Sequence, residues 1–575
     1  AARYPGILPT DPANPFDEKV TGYWIWTEIG NRGMHFVDQA SDWVGELTWD
    51  ASDNVEVSVS HQVNKFYGTD IGRYYLDYAG LASNLYYETP FGSEDGLYAL
   101  SATTVVEYDN HYEKTDIIAQ ISDVFELPGG PVDMVIGYEG FDNIYSAQYD
   151  KHSEGGYVGG SAGNSGAGSR AVDSYFGEIL IPVMSGLELN AAVRSDDYDD
   201  VGSADSFKVG VLWEGERGTM VKFNVGEGFR APTMDTLYGV TTFSANTATD
   251  YLACANAGIS QSDCASKQVS TLITSNPNLA AETSDSTTFS ISQDLGELTP
   301  ALENVSVRLD WYNIEMADLI SSVSTQDVLY SDFTNGNLLT NNYEYYASGG
   351  LTNDGSAAGA PVGTGTSSTC PANAAYYKRL GVSPALYTIR SCANGRIDYV
   401  GASYANQGKF EVEGYDFFVD YTVELGGGDL DLTLEYSHIR DYGGAPFIGS
   451  DAHQNNAGFN GAPQNRYNLI MNYTWGDYGI GVTNRHIGDF AFNSNCASSE
   501  EGGLCTKAGP YQDKYDTIDI QARADFGKYG MISVGVINAS DKDPLPDKGG
   551  VNYDSYTGLY DNRGKITYVR WKISL

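Results

Sequence analysis

The sequence predicts an all-β fold, a transmembrane antiparallel β-barrel with long extracellular loops, and three observations carry that prediction. Segments of roughly ten residues alternate apolar and polar side chains, the period of a strand with two unlike faces. From about Asp116 onward their connections run short, then long, then short again. No apolar run approaches the ~18 residues of a membrane helix. One face for lipid and one for a watery lumen is what a membrane barrel requires, because only closure leaves no unpaired edge in hydrocarbon. A soluble β-sandwich also alternates, but it rarely joins strands this long through connections so unequal.

Taken in order, residues 1–17 carry Pro5, Pro9, Pro12 and Pro15 and read as an extended lead-in or loop, since proline is kept out of central strands. They have neither the basic start nor the apolar stretch of a signal peptide, so the chain is expected to be mature or incomplete at its start. Residues 18–575 read as one barrel domain, with no compositional break that marks a linker. Residues 43–49 and 55–66 form a hairpin around 50–54, with Val55, Val57 and Val59 on one face. Residues 67–112 are expected to be one long external excursion, with 97–107 a strand or helix outside the wall. At the other end, 515–525 alternates, turns through 526–528 and returns as 529–538. Residues 566–575 make the last strand, with Val569, Trp571, Ile573 and Leu575 on one face. In all, 17 or 18 strands can be placed along the chain.

Six cysteines test this topology. Cys254 and Cys264, Cys370 and Cys392, and Cys496 and Cys505 fall as pairs, each inside one long connection. If the short turns 214–218, 425–428 and 476–477 lie on one side of the membrane, strand counting puts all three pairs on the other. Loop-stapling disulfides in an oxidising compartment follow. Zinc is the competing reading, without a CxxC or Cys/His spacing behind it.

The net charge of −43 argues against nucleic acid as a partner. It fits either solvation of long loops or a vestibule that favours cationic or metal-bridged ligands. Gly159 to Gly163 satisfies the G-x-S-x-G pattern, but Ser161 sits in a Gly/Ser-rich loop without the strand and helix of a nucleophile elbow. Seven histidines show no recurrent spacing, so no enzyme is predicted. Asp196, Asp197, Asp199 and Asp200 form the densest acidic cluster; they are either a solvated turn or oxygen ligands for a structural Ca²⁺, the one cofactor considered. In the loops, Tyr343, Tyr345, Tyr346, Tyr376 and Tyr377 combine flat aromatic faces with hydrogen-bonding groups and are the candidate ligand contacts. Arg230, a positive charge just beyond a wall strand, is either an internal ion pair or a further ligand contact.

Six fragments, in order, resemble one family. Gly226-Glu227-Gly228-Phe229-Arg230-Ala231-Pro232 with Leu237-Tyr238 is similar to the "G-x-FRAP … LY" segment of TonB-dependent outer-membrane transporters. Asn276-Pro277-Asn278-Leu279 with Glu282-Thr283-Ser284 resembles their "NPxL-x-x-E-T/S", and Leu309 to Ile314 the strand that follows. Residues 404–414 resemble the "N-x-G … x-G" entry to the next strand, and Val536 to Asp541 with Pro544 the "N-L-x-D-x-x-P" near the end. Upstream, Leu127 to Pro131 and Gly137-Tyr138-Glu139 fit the long-looped proteobacterial branch. The resemblance implies residence in the bacterial outer membrane, among its lipids and lipopolysaccharide, with the disulfide-bearing loops extracellular. It also implies a TonB-coupled plug and a barrel of about 22 strands. Nothing in the chain reads as a plug. The plug, its TonB coupling and the first strands are therefore expected from outside this chain, and a surface lipoprotein is a further candidate partner. The function implied is active transport of a scarce ligand, a metal chelate, glycan or peptide. The alternatives are a passive outer-membrane channel, and a scaffold or adhesin that binds a protein.

Overall fold

The computed structural model describes residues 2–573 except 8–19, 25–28, 31, 78–99, 156, 160–162, 164, 335–342, 347–360, 366–371, 381–385, 445–452, 460, 496–505, 546–558 and 562. Its main sheet has 25 strands, which divide into 17 long wall strands and eight short ones. The wall strands are β1 (Gly33–Ser52), β2 (Val55–Asp77), β3 (Ser101–Ile121), β4 (Asp133–Tyr149), β5 (Gly166–Met184), β6 (Leu187–Tyr198), β7 (Gly202–Glu214), β8 (Thr219–Arg230) and β9 (Glu282–Asp294). They continue as β10 (Val305–Ser322), β11 (Ile397–Leu425), β12 (Gly428–Gly444), β13 (Asn465–Trp475), β14 (Tyr478–Ile487), β15 (Tyr515–Asp525), β16 (Met531–Ile537) and β17 (Ile566–Lys572). Each pairs antiparallel with the next in an unbroken meander. Among the described residues no strand pairs with the outer edge of β1 or of β17.

Register carries apolar side chains across the outer face in rows. Leu189, Val211, Phe223, Phe289 and Trp311 stand opposite one another from β6 to β10. Trp213, Trp475, Tyr478 and Trp571 sit beside the short turns. Roughly nine residues away along the strands, Tyr415 and Tyr467 stack on His438 and His486. Two aromatic girdles around an apolar band of about 25 Å mark the membrane. The hairpins on one side are tight: Gly426 and Gly427 hold φ of +62° and +86°, the pair of left-handed conformations that a two-residue hairpin needs. The turns 214–218 and 476–477 share that side, as strand alternation requires.

Residues 67–112 depart from expectation. β2 has 23 residues and β3 has 21, about twice what a tilted strand needs to cross a bilayer. Their pairing continues from Tyr67↔Asp109 to Leu76↔Ser101, so 101–107 extend the wall and are not a separate element outside it. Polar residues from about His61 upward hide this continuity, because the outward face stops being apolar once it leaves the lipid. In the lead-in, Ala2–Ile7 pairs with Val20–Trp24, apart from the wall.

The long connections after β8 and β10 build an extramembrane module. Thr242–Ala248, Lys267–Thr274, Tyr343–Tyr346, Pro361–Gly365, Tyr376–Leu380, Tyr387–Ser391 and the start of β11 form one sheet. Within it Thr271–Thr274 runs parallel to Val400–Ser403. α1 (Met234–Tyr238) follows β8, while α2 (Tyr251–Asn256) and α3 (Thr325–Thr334) belong to the module, whose core is Val269, Val323, Val328, Leu329, Leu386 and Val400. Cys254 at α2 is bonded to Cys264. Cys392 is also in a disulfide, whereas Cys370, Cys496 and Cys505 lie outside the described residues.

The module is locked by a charge cluster that no local pattern announces. Arg390, only 2% exposed, bonds Asp332 at 2.7 Å and Asp250 at 2.8 Å, and Asp332 is wholly buried. Asp250 also caps α2 by accepting the Ala253 N–H. Burial alone would lower the Arg390 guanidinium, but the hydrogen bonds of Asp250 and the charges of both carboxylates hold it above its ordinary value. Replacing Arg390 with Met leaves Asp332 buried without its counter-ion, at an expected cost of about 3–5 kcal/mol. Limited proteolysis of the module should accelerate in Arg390→Met and return most of the way in the double variant Arg390→Met, Asp332→Leu. The heat-modifiable gel mobility of the wall should be unchanged in both.

Candidate functional site

At the rim of the wall, on the side of the long connections, the inner faces of β3 to β7 and the end of β8 line a cavity of about 1030 Å³. It lies at and above the upper margin of the outward apolar band, so it is a vestibule and not a mid-membrane pore. Aromatic faces come from Tyr112, Phe141, Tyr145, Tyr198 and Phe229, with the amides of Asn110 and Asn143 between them. Tyr112 and Phe141 are tilted at 5.6 Å, and Tyr198 meets Phe229 edge-on at 6.1 Å.

Three arginines brace this cavity. Arg194 bonds Glu139 and Asp196, each at 2.8 Å, and Glu139 also receives Lys114 at 2.6 Å. Arg170 grips Asp200 at 2.8 Å and donates to the Pro232 carbonyl at 2.7 Å, which ties the turn after β8 to β5. Arg230 makes a two-pronged pair with Glu282, its cross-strand neighbour on β9. Glu282 is 1% exposed and also accepts the Ile320 N–H, so one buried carboxylate joins β8, β9 and β10. Arg230 therefore makes an internal ion pair, one of the two roles considered for it, while its side chain stays 66% exposed at the cavity.

The remaining motif residues hold irregular backbone. Asn276 donates to the Tyr404 carbonyl at 3.0 Å and accepts the Asn278 N–H. Asn406 both donates to and accepts from Ala280 and donates to the Asp318 carbonyl at 2.7 Å. Asn538, at φ +50°, accepts the Lys542 N–H and donates to its carbonyl. These asparagines satisfy polar backbone where strands end and no ladder can.

This geometry says why those residue types occur in that order, and the comparison with known proteins agrees. Residues 4–539 match the family described as "TonB dependent receptor-like, beta-barrel". The chain belongs to that family. Its members are outer-membrane transporters and not enzymes, and TonB coupling comes with the family. No curated protein matches the sequence significantly. Among solved structures, the siderophore receptor PirA from Acinetobacter baumannii is 15% identical, with a TM-score of 0.50 over 94% of this chain and 71% of that one. A substituted form of the ferric enterobactin receptor PfeA from Pseudomonas aeruginosa is 14% identical, with a TM-score of 0.51 over 94% and 69%. The copper transporter OprC is 13% identical, at 0.50 over 93% and 66%. At these identities the likeness is one of fold.

The other predicted site residues fall elsewhere. The four aspartates do not converge. Asp196 is held by Arg194 and by the Ser174 hydroxyl at 2.5 Å, and Asp200 by Arg170 and Tyr238. Asp199 accepts the Ala171 N–H, and Asp197 is exposed. Among the described residues no group of three or more His, Cys, Asp or Glu could hold a metal ion. Burial and the charge of Asp200 raise the Tyr238 phenol above its ordinary value. The loop tyrosines do come together, Tyr345 opposite Tyr377 and Tyr346 opposite Tyr376 on paired strands. Tyr345 and Tyr346 are 4% and 7% exposed, so the module's packing consumes them and they are not open ligand contacts. Only the backbone of Tyr343 and Tyr377 is described, and Ser161 lies outside the described residues. The cavity aromatics were missed because they alternate inside wall strands, where an inward tyrosine looks like any other.

Removing the guanidinium in Arg230→Ala should cost about 1–2 kcal/mol, because its exposed half of the pair is screened while Glu282 is not. Arg230→Lys should recover only part of that, since an ammonium cannot make the two-pronged pair. Urea titration of the folded, heat-modifiable band measures both.

Proposed function

We propose that this chain forms the wall and extracellular vestibule of an energised importer, which captures a scarce ligand outside the cell and passes it to the periplasm under TonB control. The observation that carries the reading is the braced cavity at the rim. Its walls are fixed by ion pairs, each with at least one largely buried carboxylate, before any ligand arrives, which lowers the ordering cost of binding. The module above it, with its disulfides, is extracellular, on the side opposite the short turns. Coupling is delivered through a plug within the lumen, supplied outside the described residues. The outer edges of β1 and β17 are met by partner strands from the same source, because unpaired backbone cannot persist in hydrocarbon. All 20 residues of β1 are exposed, including Trp43, Leu47 and Trp49, as expected of a strand that awaits neighbours.

Uptake by cells that express the protein should depend on TonB and on the proton-motive force, and should disappear when either is removed. The purified protein should show no ungated conductance in planar bilayers. A steady open conductance together with TonB-independent uptake would instead identify a passive channel.

A further inference from the structure

We propose that the vestibule selects a neutral, hydroxyl-rich ligand, an oligosaccharide, and rejects polyanions. The proposal rests on the transporter reading for what happens after capture, but the selection follows from the cavity alone. Every arginine that lines the cavity is already spent: Arg170 on Asp200, Arg194 on Asp196 and Glu139, Arg230 on Glu282. Of the cavity's cations only Lys208 has no ion-pair partner among the described residues. Against it stand Glu178, Glu227 and Asp235, three further carboxylates in the lining. The whole chain carries −43. A polyanion entering here meets no uncompensated cluster of cations and a repulsive surrounding field.

A cation fares no better. The lining carboxylates are paired or dispersed. Two ring faces are occupied from within, with Arg170 5.3 Å from the Tyr198 centroid and Arg194 5.8 Å from that of Phe176. What remains open is chemistry suited to sugars. Tyr112, Phe141, Tyr145 and Phe229 offer flat apolar surface for the C–H faces of a pyranose. Asn110, Asn143 and the free edges of the ion pairs offer donors and acceptors to hydroxyls. Ion pairs with spare hydrogen-bonding edges suit a neutral polyol, which needs both and brings no charge of its own. The volume of about 1030 Å³ is at the top of the roughly 300–1,000 Å³ range of small-molecule sites and accommodates several sugar units.

The test uses the protein purified from outer membranes, an array of neutral oligosaccharides that spans α- and β-linked hexoses and pentoses, and a trianionic ferric tris-catecholate. Neutral oligosaccharides should be retained, with affinity unchanged between about 50 and 500 mM salt, where exposed charges are screened. Phe229→Ala and Tyr112→Ala should each weaken that retention about tenfold or more. Lys208→Ala should leave it within about twofold. Phe229→Leu keeps the bulk and removes the ring; it should lose affinity like the alanine variant, which separates stacking from a packing defect. Retention of the tris-catecholate with a salt-sensitive affinity that Lys208→Ala abolishes would overturn the proposal, as would an array on which no neutral sugar is held. Either result leaves TonB-dependent uptake standing. Sugar binding combined with TonB-independent entry would sink the importer reading and keep the ligand class.

Discussion

Everything in this molecule depends on one constraint: a backbone amide in hydrocarbon has no water to bond and must bond another strand. Strand pairing therefore fixes register, register fixes which residues face lipid, and the alternation leaves the inner face free for polar and charged chemistry. The row from Leu189 to Trp311 and the inward set from Tyr112 to Arg230 are two sides of the same ladder. Moving one strand by a single residue would exchange them. The same constraint bears on the outer edges of β1 and β17, which no strand meets among the described residues.

Arginine then serves as a structural residue in an acidic protein. Arg170, Arg194, Arg230 and Arg390 each hold at least one carboxylate, and several of those carboxylates are nearly or wholly buried. Such pairs add little net stability over a well-packed apolar contact, because both charges must shed water. Their value is geometric. A guanidinium fork reaches two groups in fixed directions, so Arg170 can join a strand-end aspartate to a turn carbonyl. Arg390 likewise joins a strand to two helices at separations of 140 and 58 residues. The arginines of the vestibule thus define its shape, and their charges are already balanced by carboxylates.

The wall was legible in the sequence wherever the outward face is lipid. Alternation in 515–538 and 55–66, glycines in the tight turns, and motif asparagines at strand ends each report a local rule. Legibility failed where the rule ceased to be local. Residues 101–107 remain in the ladder after their outward face has left the membrane, so period-two hydrophobicity stops while pairing continues. The parallel pairing of 271–274 with 400–403 and the Arg390 cluster join segments more than fifty residues apart and leave no periodic trace. Asp250 caps α2, a local arrangement that by itself says nothing of Arg390. Tyr345 and Tyr346 misled for a related reason. A tyrosine-rich loop looks like a binding surface until other loops close over it, and seeing that closure requires the tertiary structure.

The module changes what the long connections mean here. Loops that sample many conformations pay to be ordered by a ligand, whereas a sheet with its own core, disulfides and a buried charge cluster has paid on folding. Connections ordered in advance and a cavity braced by ion pairs favour selection by fit over closure around whatever arrives. Burial pushes the Tyr387 phenol up to about 12 and, against the charge of Glu344, lowers the ammonium of Lys378, which lies 4.1 Å from the Tyr387 ring. Both groups have exchanged water for protein, as the interior of a domain demands.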